Sequence, residues 1–112
     1  MEVKKSIFLR TFGDTPILRA LDFLATYSMY DYSMTDIANN SGIGYTTLKL
    51  FWKDFTDKSI VIQTRTVGKA KMYRLNKNNI VVMDFLKLYN TITEKETDKI
   101  IAKEKYVTIN AE

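Results

Sequence analysis

Apolar positions change their period along the chain, and each change marks an element. Between Pro16 and Thr26, the residues Ile17, Leu18, Leu21, Leu24 and Ala25 predict a helix with one inward face. Asp14 or Thr15 caps it, and Pro16, the only proline, takes the first helical position, where its missing N–H costs nothing. A second helix opens at Ser33, whose hydroxyl can accept a backbone N–H, and Asp36 suits the positive helix end. Ile37 and Ala38 then face inward, and Asn39 to Gly42 stop the helix, with Gly42 able to take a positive φ. Ile43 plugs the turn. A third helix carries Leu48, Phe51, Trp52 and Phe55 at i, i+3, i+4 and i+7, a stripe that must be buried. At about 100° per residue, Thr46, Leu50 and Lys53 lie opposite that stripe and Lys49 flanks it. This helix is fixed from behind and presents a polar, methyl-bearing and cationic front.

The period then drops to two. Ile60 to Arg65 is β-branched enough for a strand, Thr66 to Ala70 is a hairpin loop containing Gly68, and Lys71 to Leu75 alternates. Tyr73 and Leu75 are expected in the core, with Met72 and Arg74 outside. Arg65, Lys69 and Lys71 make the hairpin a basic finger beside the third helix. Asn76 is expected to cap a last helix over about 79–92, whose apolar set is too broad for one docking face. From Thr93 the chain turns polar; 94–105 suits a helix with Ile100 and Ile101, and 106–112 reads as a frayed end. Before all this, residues 1–13 read as an arm whose Ile7, Phe8, Leu9 and Phe12 pack on the domain after a loose start. The connector Tyr27 to Tyr32 carries tyrosines better suited to rim packing than to stacking bases, and its last residues fit a very short strand.

With 112 residues, the chain is long enough for one core and too short for two. It has no cysteine and no histidine, which excludes disulfides, Cys/His zinc sites and thiolate or imidazole catalysis. No run approaches a membrane span, and the first residues lack the apolar stretch of a signal peptide, so an intracellular protein is expected. Charge is placed unevenly. From Ile43 to Leu75 there are seven cations and two acids, whereas Thr93 to Glu112 holds four lysines and five acids. Localised positive charge is what a polyanion selects, although a solvated face explains any single lysine. The acids are too dispersed for metal-dependent hydrolysis, and an enzyme is not expected.

The phrases 12–16 (FGDTP), 19–24 (RALDFL), 32–38 (YSMTDIA) and 72–76 (MYRLN) resemble the winged helix-turn-helix family over about residues 12–88. Their wording is most similar to small archaeal winged-helix regulators, those of archaeal viruses included. The resemblance implies an α+β fold: a three-helix core with a β-hairpin wing, plus a C-terminal helix. It divides the chain into an arm (1–11), a DNA-binding domain (12–76), a C-terminal helix serving a homodimer (77–92) and a polar tail (93–112). It also implies duplex DNA as partner; from the residues themselves, no cofactor, membrane or small-molecule ligand is expected. The DNA-contacting set is Gly44, Tyr45, Thr46, Lys49, Leu50 and Lys53 on the helix and Arg65, Lys69 and Lys71 on the wing. Relatives commonly open the recognition helix with a serine and a basic residue, where this chain has Gly44 and Tyr45. Tyr45 is either a DNA contact or plain surface, and Leu50 meets a thymine methyl or a protein partner. The rival function is a protein-binding adaptor, because winged-helix modules also serve as interaction scaffolds. A monomer whose tail folds back over the last helix is the rival to the dimer.

Overall fold

The computed structural model describes residues 5–110, with side chains up to residue 102. The loose start expected before Lys5 lies outside them. Eight elements follow one another: α1 (Ile7–Phe12), α2 (Pro16–Thr26), β1 (Tyr32–Ser33), α3 (Met34–Ser41), α4 (Tyr45–Asp57), β2 (Val61–Val67), β3 (Ala70–Leu75) and α5 (Ile80–Asn110). The expected arm is therefore partly helical. Ser6 caps α1 by accepting from the Leu9 N–H at 3.2 Å, and Phe8 and Leu9 are buried.

The helix ends follow local chemistry. Thr15 caps α2 and Ser33 caps α3, accepting from Leu18 N at 3.3 Å and from Asp36 N at 3.1 Å. Gly42 ends α3 in the left-handed region at φ 70°. Asn79, rather than the expected Asn76, caps α5, its Oδ1 accepting from Val81 N at 2.8 Å. Its amide donates in turn to the carbonyls of Lys58 and Ser59, fixing the start of α5 to the end of α4.

The core gathers Phe8, Ala20, Leu24, Ile37, Leu48, Trp52, Val61, Leu75, Val82 and Tyr89, drawing on every helix and both long strands. On α2 Leu24 and Ala25 are buried and Leu18 and Leu21 pack half-buried against the core, as expected, while Ala20 and Phe23 are buried as well and Ile17 is exposed. Phe23 turns inward onto Tyr32 of β1, with ring centroids 4.8 Å apart. Trp52 stands edge-on to Tyr73 with ring centroids 5.3 Å apart, seating α4 on the sheet.

The sheet is antiparallel in the order β1-β3-β2. Tyr32 pairs with Tyr73, and Gln63 with Tyr73 from the other side. Between Gln63 and Arg65 the register shifts by one, leaving Thr64 as a bulge. Gly68 and Lys69 form a two-residue turn, with Gly68 at φ 61°.

α5 does not stop at Thr93. Its 31 residues run unbroken to Asn110, about 46 Å at 1.5 Å per residue, so the polar segment does not fold back over the exposed apolar residues of α5. Its root is held by Tyr89, whose hydroxyl donates to Asp22 Oδ1 at 2.7 Å and lies 2.7 Å from Thr26 Oγ1. Ser6 donates to the same carboxylate oxygen at 2.9 Å. Further out, Arg10 and Glu96 form an ion pair at 3.5 Å, the last polar tie to the body among the described residues. Beyond it the helix projects, giving the molecule a long axis of 60 Å against 34 and 25 Å.

Candidate nucleic-acid interface

α4 is set by what lies behind it. Leu48, Phe51 and Trp52 are buried and Phe55 is half-buried against Trp52, so the opposite face is fixed in direction. Thr46, Lys49, Leu50 and Lys53 are all exposed on that face, with Leu50 at 80%. The turn leading into α4 is clasped by Arg19, which donates to the Gly42 carbonyl at 3.0 Å while paired bidentately with Asp14. Hydrogen bonds from Arg19 and then Lys5 hold the Asp14 carboxyl well below the usual carboxylate range. Gly44 begins α4 without a side-chain cap, leaving the first-turn amides available to an anion.

Tyr45, half-exposed, lies under Lys49, whose Nζ is 5.7 Å from the ring centroid. Across from Tyr45 stands the wing. A cleft of about 250 Å³ is lined by Ser33, Met34, Thr35, Tyr45, Lys69, Ala70, Lys71 and Tyr73. The structure thus brings Tyr45, Lys69 and Lys71 to one opening. Ser33 and Thr35 join them there, a contribution that nothing in their local sequence signals.

Two expected residues sit differently. Lys53 donates to Asp57 at 3.0 Å one turn along α4, which raises its pKa and offsets part of its charge. Arg65 leaves the cluster altogether. The bulge at Thr64 pairs Arg65 with Met72, and Lys71 pairs with Thr66, so Arg65 and Lys71 point to opposite faces of the hairpin. On its own face Arg65 donates to both oxygens of Asp31, at 2.9 and 3.1 Å. The Arg65 hydrogen bonds, helped by Thr64, lower the Asp31 carboxyl to about 2. Arg65 and Asp31 are 34 residues apart, and no local pattern in the sequence joins them.

Among the described residues no helix is long and apolar enough to cross a membrane. No group of three or more acidic side chains converges as a metal site among them. Lys49, Lys69 and Lys71 make no ion pair with any described residue.

No family model matches the chain, and no curated protein is significantly similar to it. Solved structures are. The antimony-specific transcriptional repressor AntR is 24% identical with a TM-score of 0.56, covering 82% of this chain and 78% of its own. A homodimeric winged helix-turn-helix DNA-binding domain from Mycobacterium bovis, described as a possible ArsR-family regulator, is 18% identical with a TM-score of 0.54, covering 83% and 81%. The adhesin competence repressor AdcR of Streptococcus pyogenes is 15% identical with a TM-score of 0.55, covering 84% and 78%. Their descriptions carry nothing about an archaeal or viral origin. Unlike any protein that takes soft metal ions through thiolates, this chain has neither cysteine nor histidine. The fold is α+β: a winged helix-turn-helix, with a hairpin wing and a long C-terminal helix added.

Proposed function

We propose that the chain is a duplex DNA-binding transcriptional regulator and not an enzyme, with α4 in the major groove and the wing against phosphates or the minor groove. The observation that carries this reading is the set of lysines that pair with no described acid, Lys49, Lys69 and Lys71, around the open front of α4 and the cleft beside Tyr45. A major groove about 12 Å wide admits a helix pinned in this way. Gly44 and Tyr45 meet the backbone where α4 enters, and Thr46, Leu50 and Lys53 face the base edges. Arg65 acts through Asp31 by holding the wing rather than by touching DNA. The setting is intracellular, and the archaeal or archaeal-viral assignment rests on the wording of 32–38 and 72–76.

Two copies joined through α5 complete the proposal. Val82, Tyr89 and Glu96 share one side of α5, and Ile100 continues that side past the edge of the globule, where it is half-exposed. A projecting helix of this composition is marginal alone in water, and a second copy supplies the surface it lacks. Two recognition helices would then address half-sites about one helical turn apart, 34–36 Å.

The rival reading, a protein-binding adaptor, draws on Leu50 and Met29, exposed at 80% and 79%. Fluorescence anisotropy with duplex DNA over a salt series separates the two. DNA binding falls steeply as salt rises, whereas an apolar protein interface does not. Absence of duplex binding at low salt refutes the DNA reading. Sedimentation of the full chain and of one ending at Thr93 tests the dimer: the full chain should be a dimer and the shortened one a monomer, and a monomeric full chain refutes it.

A further inference from the structure

Resting on the proposed DNA reading, we infer that this protein reads sequence chiefly through thymine 5-methyl groups, with Leu50 as the main specificity residue and the Thr46 methyl as its companion. Bidentate readers of bases are Arg or Lys for guanine and Asn or Gln for adenine, and of these α4 contains only Lys49 and Lys53 between Tyr45 and Asp57. Its two front lysines are already engaged, Lys49 over the Tyr45 ring and Lys53 with Asp57. Their charge still draws the helix towards phosphates, but a flexible ammonium distinguishes bases poorly.

Apolar contact remains. A lone exposed leucine is ordinary on a protein surface. Leu50 is different because of its place: on the front of the helix, one turn after Thr46 and one before Lys53, and directly opposite the buried stripe. Of the base-pair edges in the major groove, only that of A·T or T·A carries a methyl. Thr46 and Leu50 are four residues apart, about 6 Å of helix rise, close to two base steps at about 3.4 Å. The pair thus fits two thymine methyls two steps apart. Towards its C-terminal end α4 turns acidic with Asp54 and Asp57, which keeps that end away from phosphates and leaves the Tyr45–Lys53 half as the reading surface.

Duplexes of alternating dA–dT and alternating dA–dU differ only in the 5-methyl group. The parent protein should bind the dA–dT duplex more tightly, by about fourfold for each methyl buried and about fifteenfold for two. Leu50→Ala should lose most of this preference, its dA–dT to dA–dU affinity ratio falling towards one, and Thr46→Ser should lose a smaller share. Both positions are exposed, so melting temperatures should stay with the parent. Equal, tight binding of the two duplexes by the parent overturns the inference and leaves the DNA reading standing. A preference undiminished in Leu50→Ala comes from duplex shape and also overturns it. Failure to bind either duplex at low salt removes both the inference and the DNA reading beneath it.

Discussion

Removing one oxygen atom at the root of α5 tests how that helix is fixed to the domain. In Tyr89→Phe the ring stays, packed 5.4 Å from Phe8 and 6.0 Å from Phe85 between centroids, and only the hydroxyl goes. What is lost is its donation to Asp22 at 2.7 Å and its contact with Thr26 at 2.7 Å. A hydrogen bond to a charged group contributes about 1.5–3 kcal/mol. Asp22 keeps its bond from Ser6, so the lower end applies, about 1.5–2 kcal/mol. At about 4 °C or more per kcal/mol for a chain of this size, Tm should fall by roughly 6–10 °C. Urea unfolding followed by far-ultraviolet circular dichroism, at one fixed protein concentration, measures the loss through the midpoint with an unchanged slope. The pH dependence gives a second handle. Burial pushes the Tyr89 phenol up to about 12 from an ordinary value of 10. A raised folded-state value contributes stability that is complete below pH 10 and is lost as pH rises through about 12. The gap between parent and Tyr89→Phe should therefore be constant up to pH 10 and narrow above it. A variant within about 0.5 kcal/mol of the parent at pH 7 would refute the network as the fixing of α5.

Trp52→Ala should cost about 3–5 kcal/mol in urea unfolding, because the ring is buried against Tyr73 and Phe55, and Trp52→Phe should cost less because the indole N–H has no acceptor among the described residues. Lys49→Ala, Lys69→Ala and Lys71→Ala should each weaken duplex binding and reduce the salt slope by about one, with melting within about ±0.5 kcal/mol of the parent. Lys53→Ala should do less, and Asp57→Ala should strengthen binding by releasing Lys53; equal effects at all four lysines in an anisotropy titration would contradict the pairing at Lys53. Asp31→Asn should loosen the wing, seen as faster amide exchange in 64–72, while in the parent the Asp31–Arg65 tie should be complete above the ordinary carboxylate value of 3.8 and be lost only as pH falls through about 2 in a carboxylate NMR titration.

The parts legible in the sequence are those governed by neighbours in the chain. The stripe Leu48, Phe51, Trp52 fixed both the existence of α4 and its orientation, and Ser33, Thr15 and Gly42 marked helix ends through bonds reaching only a few residues. Tyr73 and Leu75 alternate inward as a strand of period two requires. What escaped depends on residues far apart. Phe23 is buried because Tyr32, nine residues on in β1, packs against it at 4.8 Å between ring centroids, and Ile17 is left exposed. The continuity of α5 past Thr93 was hidden because its second half is polar, and polarity reads equally as a solvated helix or a tail. Within the candidate site, Lys69 and Lys71 were placed beside α4 by hairpin logic alone. Arg65 was grouped with them by proximity in sequence, which says nothing about which side of a ribbon a residue occupies.

That side is decided by a single uncounted residue. Thr64 is the one position in the hairpin with no opposite number, and it makes the strand's alternation change phase between Gln63 and Arg65. Phase is a parity: it has two values and no intermediate. Were Thr64 counted into the ladder, opposite Met72, Arg65 would fall opposite Lys71, on the same side as the lysines of the cleft, and Asp31 would be left without its partner. A one-residue slip of register that closes the bulge thus moves a full positive charge from scaffold to contact surface without altering any amino acid. The register of this hairpin, more than its composition, is where the footprint of such a protein can change in a single step.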